Sequence, residues 1–367
     1  MTWFHRSPQT RAGPQISTSS GSAACAIGAP DTDGEIIVNL EIRLGFLHRG
    51  VEKRLTEVPW RKARFVAEAA ASDTAAANAL AHATALEMIC EVEPPLRAQQ
   101  LRTLALETER LAMHIGDVGG MAVDLGFLGI AAAGSRLRGS ALAMADLLSG
   151  SRYLRGYICP GGVTRDPDKY LASIKKTCLD LRVRLAPLVE LFMSNPTVYD
   201  RLRGTGKLSP SLAEEFGMVG VAARACGIEY DTRRSFRYAT YPQDAPPIST
   251  DNGGDALSRV LVRVGEIQSS MAIIEKLLDT MAPGPVLADM PEVLPSNKVG
   301  MGIVEAFRGE LIHLVFTDGA GKIMRYGIKD PSVNNWTGVA IGVRNNLIAD
   351  FPVINKSFSL AYSGHDL

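Results

Sequence analysis

The stretch AEAAASDTAAANALAHATALEMICE, Ala67 to Glu91, decides the fold class. Alanine is the strongest helix former, so this run predicts a helix, as part of a helical region from Trp60 to about Glu91. Its part from Ala67 to Leu86 comes closest of any segment to a membrane span. Glu68, Asp73, Asn78 and His82 interrupt it, however, before the ~18 uninterrupted apolar residues that a span needs. The expectation is a buried helix of a globular protein. Glu93-Pro94-Pro95 stops it, because proline has no amide donor and does not continue a helix. Leu96 to about Gly119 is a second long helix, with Leu101, Leu104, Leu106, Leu111 and Ile115 as its apolar residues. Met121 to Ser149 continues as helix after a glycine break. Asp166 to Phe192 and Asp255 to Ala282 are further helices, and Asn334 to Asp350 is a shorter one.

Away from this helical centre the pattern changes. Glu35 to Leu44 alternates apolar and polar side chains, as a half-buried strand does. The following GFLHRGVEKRL opens a helix. Gly302 to Phe316 and Gly321 to Ile328 read as strands joined by the turn Asp318-Gly319-Ala320-Gly321. The predicted class is α+β, mainly α: a central bundle of long helices with small β-elements near the N- and C-terminal ends. Residues 1–33, rich in Gly, Ser, Pro, Thr and Ala, are expected to form a mobile arm, and 34–367 a single domain.

The chain has 367 residues, 46% hydrophobic and 21% charged, which suits a packed globular protein with little disorder. The formal net charge is zero, so nothing argues for nucleic acid as a partner. The five cysteines, Cys25, Cys90, Cys159, Cys178 and Cys226, form no Cys-x-x-Cys pair. Their odd number and spacing argue against a disulfide framework and against the usual thiolate clamps for zinc or iron–sulfur clusters. The start of the chain lacks the basic-then-apolar pattern of a secretion signal. No dinucleotide-binding glycine fingerprint, phosphate loop or His-Glu-x-x-His motif occurs.

A series of blocks carries a resemblance. Phe46-Leu47-His48-Arg49-Gly50-Val51-Glu52-Lys53 is followed in order by Glu107-Thr108-Glu109-Arg110 with His114, Asp124-Leu125-Gly126, and Pro160-Gly161-Gly162-Val163. Then come Asp200-Arg201 with Gly204 and Gly206, Gly227 to Asp231, Glu305 with Arg308-Gly309-Glu310, and Asp330-Pro331-Ser332. Each block is weak alone; together and in order they are specific. From Glu35 to the last residue the chain resembles the NiFe-hydrogenase large-subunit superfamily, in its membrane-bound energy-converting branch and in the quinone-pocket (49-kDa) branch of respiratory complex I.

That resemblance implies a nickel site held by four cysteine thiolates in two Cys-x-x-Cys pairs. Aligning the motifs puts Ala71 and Thr74 at the first pair and Ala361 and Gly364 at the second, with Glu68 at the place of a proton-relay glutamate. A methyl, a hydroxyl, a second methyl and a hydrogen atom cannot replace soft sulfur ligands. The expectation is a chain that binds no metal and no cofactor of its own.

The complex I branch suggests what the emptied site could take. The tyrosine that hydrogen-bonds the quinone there aligns with His82, and Asp124 matches an aspartate of the same pocket. An imidazole titrating near neutrality beside a carboxylate could supply protons to a quinone. The bland alternative is that His82 is a satisfied polar group on a packed helix. His48, Arg49, Glu52 and Glu68 form a second set, read either as a charged track toward membrane partners or as ordinary helix pairs such as Arg49 with Glu52. Glu107, Arg110 and His114 share one helix face and are read as a relay or as a salt-bridged contact between helices. Arg201, Arg203, Arg233 and Arg234 are read either as partner-docking residues or as solvated charges. A histidine-bearing loop of the complex I relatives has no counterpart after Gly13-Pro14-Gln15, and Cys159 replaces an arginine usual in that branch.

What the resemblance implies is a peripheral subunit on the cytoplasmic face of a membrane, in an NADH:quinone oxidoreductase-like or hydrogenase-like complex. NAD belongs to that implication only at the level of the family. A small iron–sulfur subunit would bring the cluster, and antiporter-like and anchor subunits would hold the membrane. Quinone is the candidate substrate. The alternative is a scaffold or transducing subunit that binds no substrate.

Overall fold

The Ala-rich run folds as helix α3, but not as one piece with what precedes it. In the computed structural model, which describes residues 30–241 and 245–367, the first part of the chain builds strands β1 (Asp31–Asp33) and β2 (Ile36–Asn39). Helices α1 (Val51–Glu57), α2 (Trp60–Ala67) and α3 (Ala75–Cys90) follow. The expected arm lies outside the described residues up to residue 29, while 31–33 is strand. The segment 68–74 between α2 and α3 is non-helical: Arg49 takes the Ala69 and Ala70 carbonyls and Arg308 takes the Asp73 carboxylate, tertiary bonds that alanine content alone does not register.

Helix α3 is buried on nearly every side, so it has no polar stripe. Glu91 closes it in the left-handed region at φ 55°, and α4 (Leu96–Asp124) starts directly after Pro95. The predicted break at Gly119 does not occur. Helix α4 runs on to Asp124 and stops at Leu125-Gly126-Phe127 before α5 (Leu128–Ser149). The glycines serve packing instead: a Cβ on Gly134 of α5 would stand 3.3 Å from the Cα of Gly119, so the two helices cross backbone to backbone.

The hairpin β3 (Ile158–Cys159) and β4 (Gly162–Val163) leads to α6 (Leu171–Met193). Short helices follow: α7 (Pro196–Leu202), α8 (Pro210–Glu215), α9 (Gly220–Arg224) and α10 (Thr232–Ser235). Helix α11 (Ala256–Asp279) completes the bundle, in which α4 packs on α5 and α11, and α6 on α5 and α11.

The C-terminal sheet has three strands where two were expected. They form the antiparallel meander β5 (Val299–Ala306), β6 (Gly309–Thr317) and β7 (Ile323–Lys329). The expected single strand from Gly302 is folded back at Phe307-Arg308, with Ala306 paired to Gly309. Helix α3 lies directly on β5, because a side chain at Gly300 or Gly302 would overlap the Ala85 or Ala81 carbonyl. Helices α12 (Pro331–Gly342), α13 (Phe351–Phe358) and α14 (Tyr362–Asp366) end the chain. No described helix is long and apolar enough to cross a membrane.

Candidate functional site

The two segments at the ligand positions converge. Ala71 and Thr74 lie in the bend before α3, and Ala361 and Gly364 sit at the start of α14; all four are buried. Two arginines tie the segments together. Arg49 donates to the carbonyls of Ala69 (2.6 Å) and Ala70 (2.7 Å) and to that of Ser363 (3.3 Å). Arg308, from the β5–β6 turn, forks onto Asp73 at 2.9 and 2.6 Å and also donates to the Ser359 carbonyl. Gly364 lies so close to Asp330 that a Cβ there would overlap its carboxylate. At the positions that the resemblance assigns to thiolates stand Ala71, Thr74, Ala361 and Gly364, and the Asp73–Arg308 pair lies beside them. The donor set does not fit nickel, and among the described residues no cluster of three His, Cys, Asp or Glu side chains could hold a metal.

Glu68 adjoins this convergence. It is 2% exposed and accepts the Gly156 amide at 2.8 and 3.0 Å. Burial pushes its pKa up to about 7, against the opposing Gly156 N–H, Arg64 and Arg155. A cleft of about 290 Å³, lined by Phe65, Glu68, Ala69, Arg155 and Gly156, opens beside it. A carboxyl poised near neutral pH at a cleft can give up or take a proton.

His82 is wholly buried against the sheet. Its Nδ1 lies 2.8 Å from the Tyr326 hydroxyl, which also lies 2.7 Å from Nδ1 of His313. His313 Nε2 meets Asn78 Oδ1 at 3.0 Å, and Asn78 Nδ2 donates to the Thr74 carbonyl at 2.8 Å. Burial, and then the charge of Arg64, push the His82 pKa down to about 4. His82 Nε2 and Arg64 Nε are buried without a partner among the described residues.

Asp124 does not join His82. Glu109 of α4 accepts the Ala76 and Ala77 amides at the start of α3, while Arg102 pairs with Glu87 near the end of α3, so the two helices run antiparallel. His82 is therefore level with the stretch of α4 between 102 and 109. Asp124 is the last residue of α4, about 22 Å beyond Glu109 at ~1.5 Å per residue. The expected His–Asp combination is not formed; helix direction, which motif order does not reveal, keeps the two apart.

The other sets resolve differently. Arg49 and Glu52 do not pair: Arg49 binds carbonyls and Glu52 accepts the Ile328 amide at 2.8 Å. His48 Nδ1 lies 2.7 Å from the Asp366 carbonyl. These side chains fasten the entry of α1 to the sheet and to the C-terminal helix. Glu107, Arg110 and His114 are wholly buried in an ion network between helices. Glu107 accepts from Tyr241 (2.5 Å), Ser270 (2.5 Å) and Arg233 (3.3 Å). His114 Nε2 and Arg110 meet Glu266 at 2.9 and 3.3 Å. Arg224 forks onto Glu266 and reaches Glu305 at 2.8 Å, and Arg233 binds Asp231 at 2.6 Å. Arg233 is thus neither solvated nor available for docking, while Arg201 pairs with Asp350 at 3.1 Å.

Sequence reasoning missed Glu266, His313 and Tyr326, although a signal existed. Arg259, Arg263, Glu266 and Ser270 recur at the spacing of a buried stripe on α11. His313 alternates with Leu311 and Val315 on the inner face of β6. Polar residues at core positions mark built networks. Glu109, whose pKa burial pushes up to about 8, stood out only as part of its motif.

Comparison with known proteins gives concordant matches. Residues 124–303 match the family model described as the respiratory-chain NADH dehydrogenase 49 Kd subunit. The chain is 30% identical over 332 residues to the carbon monoxide-induced hydrogenase of Rhodospirillum rubrum, covering 89% of this chain and 91% of that protein. It is 30% identical over 340 residues to formate hydrogenlyase subunit 5 of Escherichia coli, covering 91% of this chain but only 59% of that protein's length. A chain of the membrane-bound sulfane sulfur reductase, an archaeal respiratory membrane complex, superposes with a TM-score of 0.87 at 31% identity, over 92% of this chain and 93% of that one.

Proposed function

The chain belongs to the superfamily that joins hydrogenase large subunits to the 49-kDa subunit of respiratory-chain NADH dehydrogenase, and from that premise we propose that it is the metal-free large subunit of a membrane-associated oxidoreductase complex. In this reading it sits peripherally, on the cytoplasmic face, against a small iron–sulfur subunit and above antiporter-like and anchor subunits. Electrons from the partner's cluster reach a quinone-like acceptor held near His82. Glu68 exchanges protons beside that site, and the His48, Arg49 and Glu52 contacts couple it to the rest of the complex.

The observation that supports this most directly is the convergence of Ala71–Thr74 with Ala361–Gly364 next to a cleft and a carboxyl titrating near 7. The chain's own residues bind and orient; it owns no redox centre in this reading. Asp124 takes no part at His82.

One observation favours a scaffold subunit that binds no substrate. His82 is 0% exposed, and it is not among the residues lining the cleft beside Glu68. Binding of a quinone analogue to the assembled complex separates the two. Saturable binding that is lost in His82→Ala supports the acceptor site; no binding by the wild type leaves the scaffold.

A further inference from the structure

The buried chain Thr74–Asn78–His313–Tyr326–His82 has a direction. The Thr74 carbonyl can only accept, so Asn78 must turn its Nδ2 toward it, at 2.8 Å, and present Oδ1 to His313. An amide oxygen also only accepts, which puts a proton on His313 Nε2. Among the described residues no carboxylate contacts His313 to stabilise a second proton, and burial holds its pKa well below the ordinary value. Its Nδ1 is then a bare lone pair that accepts the Tyr326 O–H. The Tyr326 oxygen in turn accepts from His82 Nδ1–H. The last atom, His82 Nε2, is left as an unprotonated acceptor, buried and without a partner.

We infer that Tyr326 and His313 are positioning residues that fix His82 as a hydrogen-bond acceptor, so that its open nitrogen recognises a ligand bearing an O–H or N–H donor, of the hydroquinone class, over one bearing only a carbonyl or ether oxygen. This rests on the acceptor-site reading above for its ligand, but not for the tautomer. It also changes the role expected for His82. A neutral imidazole with its only proton committed to Tyr326 does not donate to a quinone carbonyl. Arg64, close enough for its charge to act on His82, carries an Nε that is also without a partner among the described residues.

The test has two arms on the purified complex. In the first, the histidines are labelled with nitrogen-15 and read by magic-angle-spinning NMR, with His82→Gln assigning the resonance. The expected result is a protonated Nδ1 and a bare Nε2 at neutral pH, turning into a mixture of tautomers in Tyr326→Phe. A proton on Nε2 in the wild type overturns the inference. In the second arm, binding of a short-chain benzohydroquinone is compared with that of its dimethyl ether under anaerobic conditions. The hydroquinone should bind about tenfold more tightly, the worth of one good hydrogen bond, and the preference should collapse in Tyr326→Phe. Equal binding of both by the wild type overturns the recognition claim. A bare Nε2 with no binding of either compound upholds the tautomer and removes the acceptor site itself.

Discussion

Glu68 shows at the scale of one residue how burial sets chemistry. Its carboxyl is enclosed by α2 and the β3 approach, and its pKa rises from an ordinary 4.5 to about 7. A raised carboxyl pKa means that the folded state holds more protons than the unfolded chain over that interval, so stability falls as pH climbs through it. At ~1.4 kcal/mol per pKa unit the loss amounts to about 3 kcal/mol between pH 4.5 and 7. Glu68→Gln should remove this slope, as urea denaturation across the same pH range would reveal; an unchanged slope would mean that Glu68 is ionised throughout. Glu109, pushed up to about 8, contributes in the same direction over a wider window.

The ion network extends the point from one carboxyl to several. Glu107, Asp231, Glu266 and Glu305 face Arg110, Arg224 and Arg233, so full ionisation of these four acids leaves one negative charge unmatched by the three arginines, with His114 beside Glu266. Burial lowers the His114 pKa despite Glu266, and burial with the adjacent Asp231 raises the Glu305 pKa. Removing one cation strands buried carboxylates. Arg233→Met should therefore cost about 3–5 kcal/mol in denaturation midpoint analysis, far more than an exposed pair. A loss below about 1 kcal/mol would show that the carboxylates find other partners.

Among the elements, α3 and β5 carry the site. Their close approach depends on Gly300 and Gly302, whose missing side chains let the Ala85 and Ala81 carbonyls rest on the strand. Gly302→Ala should force the helix outward and cost about 1–3 kcal/mol or more, and it should lengthen the His82–Tyr326 contact. Thermal melts together with the His82 nitrogen signal would measure both. A stable variant with an unshifted signal would contradict the close packing.

The same elements show what was legible in the sequence. Helix α3 could be read because alanine propensity and a double proline stop act locally. The bend at 68–74 was missed because it is set by tertiary bonds, including those from Arg49 and Arg308. The Gly119 break was expected from propensity, which a helix crossing overrode. The β5–β6 turn at Phe307-Arg308 lacks the Asn-Gly or Asp-Gly signature that marks tight hairpins. The four aligned ligand positions came from motif order rather than from local propensity. The His82–Tyr326–His313 chain was not legible, since nothing local announces that residues 82, 313 and 326 will meet. The pairing of His82 with Asp124 failed for the same reason in reverse: two matched positions were assumed to share a pocket.

At the scale of the whole molecule, a shared architecture holds altered contents. The segment 45–49 closes on the C-terminal helix, as Asp366 accepts the Gly45 and Leu47 amides at 2.7 and 2.8 Å and Arg49 reaches Ser363. Arg49 and Arg308 tie the Ala71–Thr74 segment to the Ala361–Gly364 segment, and the side chains at the four aligned positions offer two methyls, one hydroxyl and a hydrogen atom. Elemental analysis of the purified complex for nickel is the most direct test. The expected result is only trace nickel that does not scale with the amount of this chain; tightly held nickel in a one-to-one ratio with it would contradict a metal-free large subunit.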